Sequence, residues 1–387
     1  MSLVFVGASL MAFLTATTLA MDVGMFMTAR SQSQNSADAG ALAGATALAF
    51  DSFSDRSATG PAKSSAVSTA LTNTVMRQNV SVTPGDVDFP VGPTGLNNRV
   101  RVRVYRDAAH SNPLQTLMGG FFGVPQADVW ATATAEASPA NAVTCVKPFM
   151  IPDKWQERRP TIAPFDPQTS QFDMYDNHGN ALTPADYYYG DLSSTGYTGY
   201  NNDRDKGTLL ILRAGTGNNI EPTMYFSWDM PGNSGQPGGD WYRDNIAGCN
   251  QFKIPIPGAG APPYLMTQEP GDMSGPTIQG VQDLYDQDPG AYWEPSPGCN
   301  CVKNSRFGGH TSPRIFPIPV YDPIYYAEGK ANGRNADFKL ANIIGIFLDR
   351  RPASNQIYGR ITPILGTLDG SGPVPAGSFA TAIRLVQ

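Results

Sequence analysis

Cysteine offers the most chemistry in this chain, and its four copies, Cys145, Cys249, Cys299 and Cys301, all lie beyond residue 144. The Cys-x-Cys pair, Cys249 and His310 make up one candidate zinc set, but structural zinc sites space their cysteines by two to four residues, which this pair does not. Cys145 and His178 supply a thiol and a base, yet a disulfide accounts for the same cysteine more simply. In an oxidising compartment four such cysteines form two disulfides. The short spacing makes a bridge between Cys299 and Cys301 awkward, so each is expected to pair with Cys145 or Cys249. The long loops closed that way would stabilise the fold by roughly 4 to 5 kcal/mol each in the chain-entropy relation.

Other reactive groupings are sparse. There are three histidines, His110, His178 and His310, and none sits in a His-Glu-x-x-His motif. No nucleophile elbow, Walker loop or dinucleotide-binding glycine turn follows a strand-like run. Asn201, Asp203 and Asp205 place oxygens at alternate positions, as calcium loops do. Gly207 comes one place late for an EF-hand, and Arg204 and Lys206 reduce the local charge. Asp173 to Asn180 is a weaker loop of the same kind, and Asp, Asn and Gly are also ordinary turn residues. Asp283, Asp286 and Asp288 would serve a glycosidase as paired carboxylates, but their place at a helix end favours solvated side chains. The expectation is a non-enzyme with no cofactor, calcium at Asn201, Asp203 and Asp205 being the one candidate.

These residues must be positioned by a chain of 387 residues, long enough for two domains. A net charge of −6 supplies no basic field for nucleic acid. The 40 Gly and 33 Pro indicate a loop-rich protein, while 16 Tyr, 18 Phe and 5 Trp provide the burial that disordered chains lack. Leu3 to Met21 carries no charge and would make about 28 Å of helix, close to the hydrocarbon thickness of a bilayer. Behind it follows a run of small residues without proline. Ala37, Ala41 and Ala45 recur every four residues, as do Gly40 and Gly44, so each set forms a stripe on which another helix can pack closely. That helix belongs to a neighbouring copy or an assembly partner, or else the stripe lies on the chain's own domain.

The residues from Met21-Asp22-Val23-Gly24 through Arg30 to Gln34-Asn35-Ser36-Ala37-Asp38-Ala39-Gly40-Ala41-Leu42-Ala43-Gly44-Ala45 resemble the amino-terminal segment of the TadE/TadG-like proteins of Flp (Tad) pilus assembly. That family usually reads Val-Asp-Val-Gly followed by Asn-Ala-Ala-Asp-Ala-Ala-Ala-Leu-Ala-Gly-Ala. Relatives usually place a basic residue and a glycine ahead of the apolar segment, which here begins almost at Met1. Farther along, Asn245 to Asn250, Gly275 to Thr277, Ser312 to Ile315 and Asn342 to Gly345 are similar to stretches of longer TadG-like proteins. The metal-binding Asp-x-Ser-x-Ser motif that some of those proteins carry is not found. The resemblance implies a pilin-like structural or assembly component, exported to the cell envelope, anchored in the membrane or built into an extracellular filament. Its implied partners are other copies of itself or pilus and envelope assembly proteins, met through the amino-terminal helix. An adhesin using Tyr187, Tyr188, Tyr189, Tyr197 and Tyr200 is the alternative, and an exported hydrolase a more distant one.

The expected fold class is α+β: a long apolar helix over residues 1–51, a small α+β domain over 52–138, and a β-rich, loop-heavy domain over 139–387. Pro61 should open a second helix running to Met76 or Arg77. Val80 to Val82, Arg99 to Tyr105 and Val129 to Ala135 alternate as strands, with Arg99, Arg101 and Arg103 on a solvated face. Between them Pro113 to Phe122 is expected to form a helix that buries Leu114, Leu117, Met118, Phe121 and Phe122. In the last domain the strand candidates are Thr208 to Arg213, Thr223 to Trp228, Phe252 to Ile256, Arg314 to Val320, Asn342 to Leu348 and Gln356 to Ile361. Pro317 and Pro319 should place their strand at a sheet edge. Thr277 to Tyr285 is the one helix expected there.

Overall fold

A computed structural model describes the chain except for residues 1, 94, 177, 216–218, 233–237, 259–261, 270, 272, 297–298, 332–336, 371–374, 376 and 387. The fold is mixed α+β, with a long amino-terminal helix followed by several sheets, and it divides into two compact units. The first comprises Met1–Ser138 together with Ile383–Gln387, and the second comprises Pro139–Ala382.

In the first unit α1 runs unbroken over Ser2–Phe50, a stretch with no proline and many alanines. Pro61 occupies the first turn of α2, Pro61–Thr72, which buries Ala62, Ala66 and Ala70 along one side. This helix stops earlier than expected because Met76 and Arg77 take positive φ angles of 49° and 65°. They form the turn of a small hairpin that joins Thr74–Val75 to Gln78–Asn79. The unit's sheet includes β1 (Val87–Asp88), β2 (Arg99–Arg106) and β5 (Val129–Pro139). Val100, Val102 and Val104 lie opposite Ala135, Ala133 and Ala131, and all six are buried in the core shared with α1 and α2. On the other face Arg99 pairs with Glu136 at 2.7 Å, and Arg101 and Arg103 reach Asp88 at 2.6 and 3.4 Å. The arginines therefore line a solvated sheet face held by ion pairs. Val80 to Val82 contributes a single bridge, Ser81 with Tyr105, in place of a strand.

The expected helix from Pro113 to Phe122 does not form. Leu114–Gln115 (β3) pairs with Gln126–Ala127 (β4), and a 3-10 turn, Gly119–Phe122, lies between them. Three glycines in five residues disfavour an α-helix, and Gly123 closes the turn at φ 80°. Leu114 is buried, but Leu117 and Phe122 are exposed; the Phe121 side chain lies outside the described set.

The second unit is organised by β6 (Phe149–Pro152), β7 (Leu209–Ala214), β8 (Met224–Ser227), β9 (Leu265–Thr267), β12 (Ile315–Tyr321), β13 (Asp337–Leu348) and β14 (Ile357–Thr362). Their order is β9-β13-β12-β6-β8-β7-β14, and β13 also pairs with β14. The pairings therefore close a ring of six strands whose interior is filled by side chains. β12 lies between β13 and β6, so the expectation of an edge strand fails. Pro317 and Pro319 face Gly345 and Ile343 of β13. Spaced by two, they turn their missing donors to the same side, where the Pro317 carbonyl still accepts the Lys147 amide at 2.9 Å. Phe252 to Ile256 contributes only Ile254–Pro255, and β10 (Tyr292–Glu294) pairs with β11 (Cys301–Lys303) as a separate two-stranded ribbon. Besides α5 (Ser274–Gln287) the unit contains α3 (Asn202–Asp205), α4 (Gly239–Ala247) and α6 (Pro323–Ala331). These three are nine residues or shorter, too short for the apolar period to stand out.

A buried carboxylate organises the long irregular stretch between β6 and β7. Asp153 accepts the hydroxyls of Tyr188 at 2.9 Å and Tyr197 at 2.6 Å, and the Tyr200 and Lys154 amides, each at 2.9 Å. Tyr188, Tyr197 and Tyr200 are thus core residues, and only Tyr187 and Tyr189 of the tyrosine set are exposed. Burial outweighs these bonds and raises the Asp153 pKa from 3.8 to about 6. Between those values the folded form holds a proton that the unfolded form has lost, so this group lowers stability as pH rises through the window. In chemical denaturation of the full chain, Asp153→Asn should gain on the wild type by about 3 kcal/mol between pH 3.5 and 7. A pH-independent difference would contradict this assignment.

Candidate functional site

The first helix changes character at Asp22. Ahead of it Val4, Phe5, Val6, Leu10, Met11, Phe13, Leu19 and Met21 are each more than half exposed. The helix is long and apolar enough to cross a membrane by length and composition. From Asp22 onward one side is covered, with Met25, Ala29, Ser33, Ser36, Ala37, Ala41, Ala45 and Leu48 buried.

The small-residue stripe is what allows that cover. A β-carbon on Gly44 would lie 2.8 Å from Val100 Cγ1, 3.1 Å from Ala66 Cβ and 3.2 Å from the Ala62 carbonyl oxygen. One on Gly40 would meet the Ala66 carbonyl oxygen at 3.0 Å and Ala70 Cβ at 3.1 Å. Ala37, Ala41 and Ala45 are fully buried, and Ser36 Oγ donates to the Ala70 carbonyl at 2.9 Å. The helix that this stripe meets is α2 of the same chain. Of the two alternatives read from the sequence, packing on the chain's own domain is the one the structure displays.

Asp22, of the Met-Asp-Val-Gly motif, is 6 % exposed and uses its carboxylate locally. It accepts the Leu117 amide at 2.9 Å and the Met118 amide at 3.2 Å, which fixes the β3–β4 hairpin against the helix. Sequence reading assigned no role to this residue. The signal was there, since a charge placed directly behind an uncharged run needs either water or a set of donors.

The cysteines pair differently from the expectation. Cys145 is bonded to Cys249, with Cα atoms 4.3 Å apart, and Cys299 to Cys301, with Cα atoms 5.0 Å apart. The first pair is aligned by the Cys145 amide, which donates to the Asn250 carbonyl at 2.8 Å. Nearby, Lys147 Nζ donates to the carbonyls of Gly248 and Asn245 at the end of α4, and its burial lowers its pKa to about 7. In the second pair Asn300 turns the chain with φ 45°, while its side chain accepts from Trp293 Nε1 at 3.1 Å and donates to the Lys206 carbonyl at 3.0 Å. Spacing alone does not reveal that turn. All four cysteines are thus placed in disulfides in this structure.

The residues of the calcium candidate have protein partners. Asn201 Oδ1 accepts the Asp203 amide at 2.9 Å, where Asn201 caps α3. Asp205 is buried and receives Lys154 Nζ at 2.6 Å and the Asn201 amide at 2.8 Å. The Asn201 and Asp205 side chains build a helix start and an ion pair, Asp203 supplying its backbone amide, and among the described residues no group of acids, histidines and cysteines is arranged to hold a metal. Asp176, in the weaker loop, accepts the His178 and Asn180 amides at 2.8 Å, as in an Asx turn; Asn177 lies outside the described residues. Asp283 pairs with Arg243 at 2.7 Å, Asp286 with Arg351 at 3.2 Å, and Asp288 accepts Ser305 and Ser312 hydroxyls at 2.6 Å.

Residues 1–47 match the model of the Flp pilus-assembly TadE/G-like family, the family that the Met21 to Ala45 motif resembles. No curated protein and no solved structure matches the chain.

The packing of the stripe leads to a stability test. Gly44→Leu should destabilise the first unit by about 2 kcal/mol or more, because the added bulk meets Val100, Ala62 and Ala66. Gly24→Ala, whose β-carbon would have nothing within 4 Å, should be neutral or slightly stabilising. Thermal unfolding of both variants decides the matter. An unchanged Gly44→Leu midpoint would mean that the stripe is not packed inside the chain.

Proposed function

We propose that this chain is a membrane-anchored, non-enzymatic component of an Flp/Tad-type pilus assembly system, exported so that its two folded units lie outside the bilayer. The observation that carries this reading is the exposed apolar run Val4 to Met21, continuous with a docked helix inside the TadE/G-like segment. Lipid removes such a surface from water at about 25 cal/mol per Å2, and nothing among the described residues covers it. Two disulfides suit an oxidising compartment on the far side of the membrane. The carboxylates of Asp283, Asp286 and Asp288 are held in ion pairs or by hydroxyl and amide donors, and this supports a structural role.

With Gly40 and Gly44 engaged by α2, other copies or assembly proteins meet the chain through the apolar run and through outer faces of the units. The buried Tyr188, Tyr197 and Tyr200 weigh against the adhesin alternative, which needs those rings exposed. Deleting Leu3 to Met21 should move the protein from the alkali-resistant membrane fraction to the soluble exported fraction, with both disulfides intact on non-reducing peptide mapping. Persistence of the deleted form in membranes or in sheared pilus material would contradict the proposal.

A further inference from the structure

We infer that the β3–β4 hairpin is a second membrane contact, its tip lying in the headgroup boundary where α1 leaves the bilayer. The inference rests on the reading of α1 as a membrane span and adds a site that the span alone does not provide. Three observations carry it.

The first is position. The Leu117 and Met118 amides bond to Asp22, the residue directly behind the uncharged run, so the hairpin sits at the level where the helix must pass from lipid to water.

The second is composition. From Pro113 to Ala127 there is no charged residue, and Leu117, Phe122 and Val124 are 65 %, 59 % and 55 % exposed. Single exposed apolar residues are ordinary, but three within eight residues beside the end of a span form a patch. Interfacial segments bury such a face in the boundary between headgroups and acyl chains.

The third is the backbone. A loop can enter that boundary only if its polar groups have partners. Here the Thr116 amide donates to the Pro125 carbonyl at 3.0 Å, Thr116 Oγ1 to the Val124 carbonyl at 2.8 Å, the Val124 amide to Gly119 at 2.9 Å and the Gly123 amide to Gly120 at 3.3 Å. With the two amides held by Asp22, bonds tie both the base and the turn of the hairpin. The occupant is therefore the lipid surface of the leaflet that α1 crosses last.

The test uses the full chain in phosphatidylcholine and phosphatidylglycerol vesicles. Because all four native cysteines are in disulfides, one added cysteine accepts an environment-sensitive fluorophore. Labels are placed at Phe122→Cys in the hairpin, at Val6→Cys in the span, and at Ser64→Cys on the exposed side of α2. A quencher on the lipid near the acyl carbonyl should quench position 122 about fivefold more than position 64, with blue-shifted emission at 122. Quenching at position 6 without quenching at 122 would overturn the hairpin contact and leave the span standing. Blue-shifted emission at 122 without lipid quenching, dependent on protein-to-lipid ratio, would assign the tip to a second copy and likewise overturn the inference. Absence of quenching at position 6 would remove the span and this inference together.

Discussion

The close approach of α1 to α2 at Gly40 and Gly44 is the contact on which the first unit depends. Neither position has room for a side chain, and Ala62, Ala66 and Ala70 supply the equally small opposite face. Small residues on both helices let their backbones approach within reach of the valines of β2, so helix, helix and sheet share one core. Because α1 is unbroken, the same element that fills this core extends as bare apolar helix beyond Asp22. Apolar run and folded unit are thereby joined without a linker. Asp22 marks the changeover, turning a charge at the end of the apolar run into a clamp on a neighbouring hairpin.

The second unit follows a different logic. Its barrel contains several charged groups that water would ordinarily solvate, each enclosed by a dedicated set of partners. Arg314 is fully buried and donates to the carbonyls of Asp288, Ala291, Leu348 and Asp349 while lying over Tyr285 and Phe347. Asp153 gathers two tyrosine hydroxyls and two amides, and Lys147 caps α4. Removing one partner from such a set costs more than the set contributes in total, because an unpaired group remains in a poorly polar interior. These networks fix loops that no sheet or helix would hold, including the long passage from Asp153 to Tyr200.

Much of this was legible in the residues. The uncharged run, the alternation of Val100, Val102 and Val104, and the turn-bounded strands of the barrel are periodic signals that local physics dictates. What escaped depended on partners distant in sequence. The stripe of Gly40 and Gly44 announced a close contact without naming the helix, since small residues suit an intramolecular and an intermolecular partner equally. Leu117 and Phe122 had helical spacing, but the glycines among them override it. The missing donors of Pro317 and Pro319 point to an edge, but the Pro317 carbonyl still accepts the Lys147 amide and lets the strand lie inside the sheet. The cysteine pairing turned on Asn300, a single residue whose left-handed backbone makes a two-residue separation bridgeable. The tyrosines looked like a contact surface until Asp153, remote from most of them in sequence, supplied their acceptor. Among site residues, Asp22 lies within the Met-Asp-Val-Gly motif, and its role is visible only with the hairpin beside it.

The account stands on α1 being one rigid element from the lipid into the core. Spin labels at Val6 and Arg30 of the full chain in lipid bilayers measure this directly by pulsed dipolar spectroscopy. An unbroken helix places the two backbone positions about 36 Å apart and gives a narrow distance distribution. A broad distribution, or one centred well below that separation, would show a hinge between span and domain and would contradict the account.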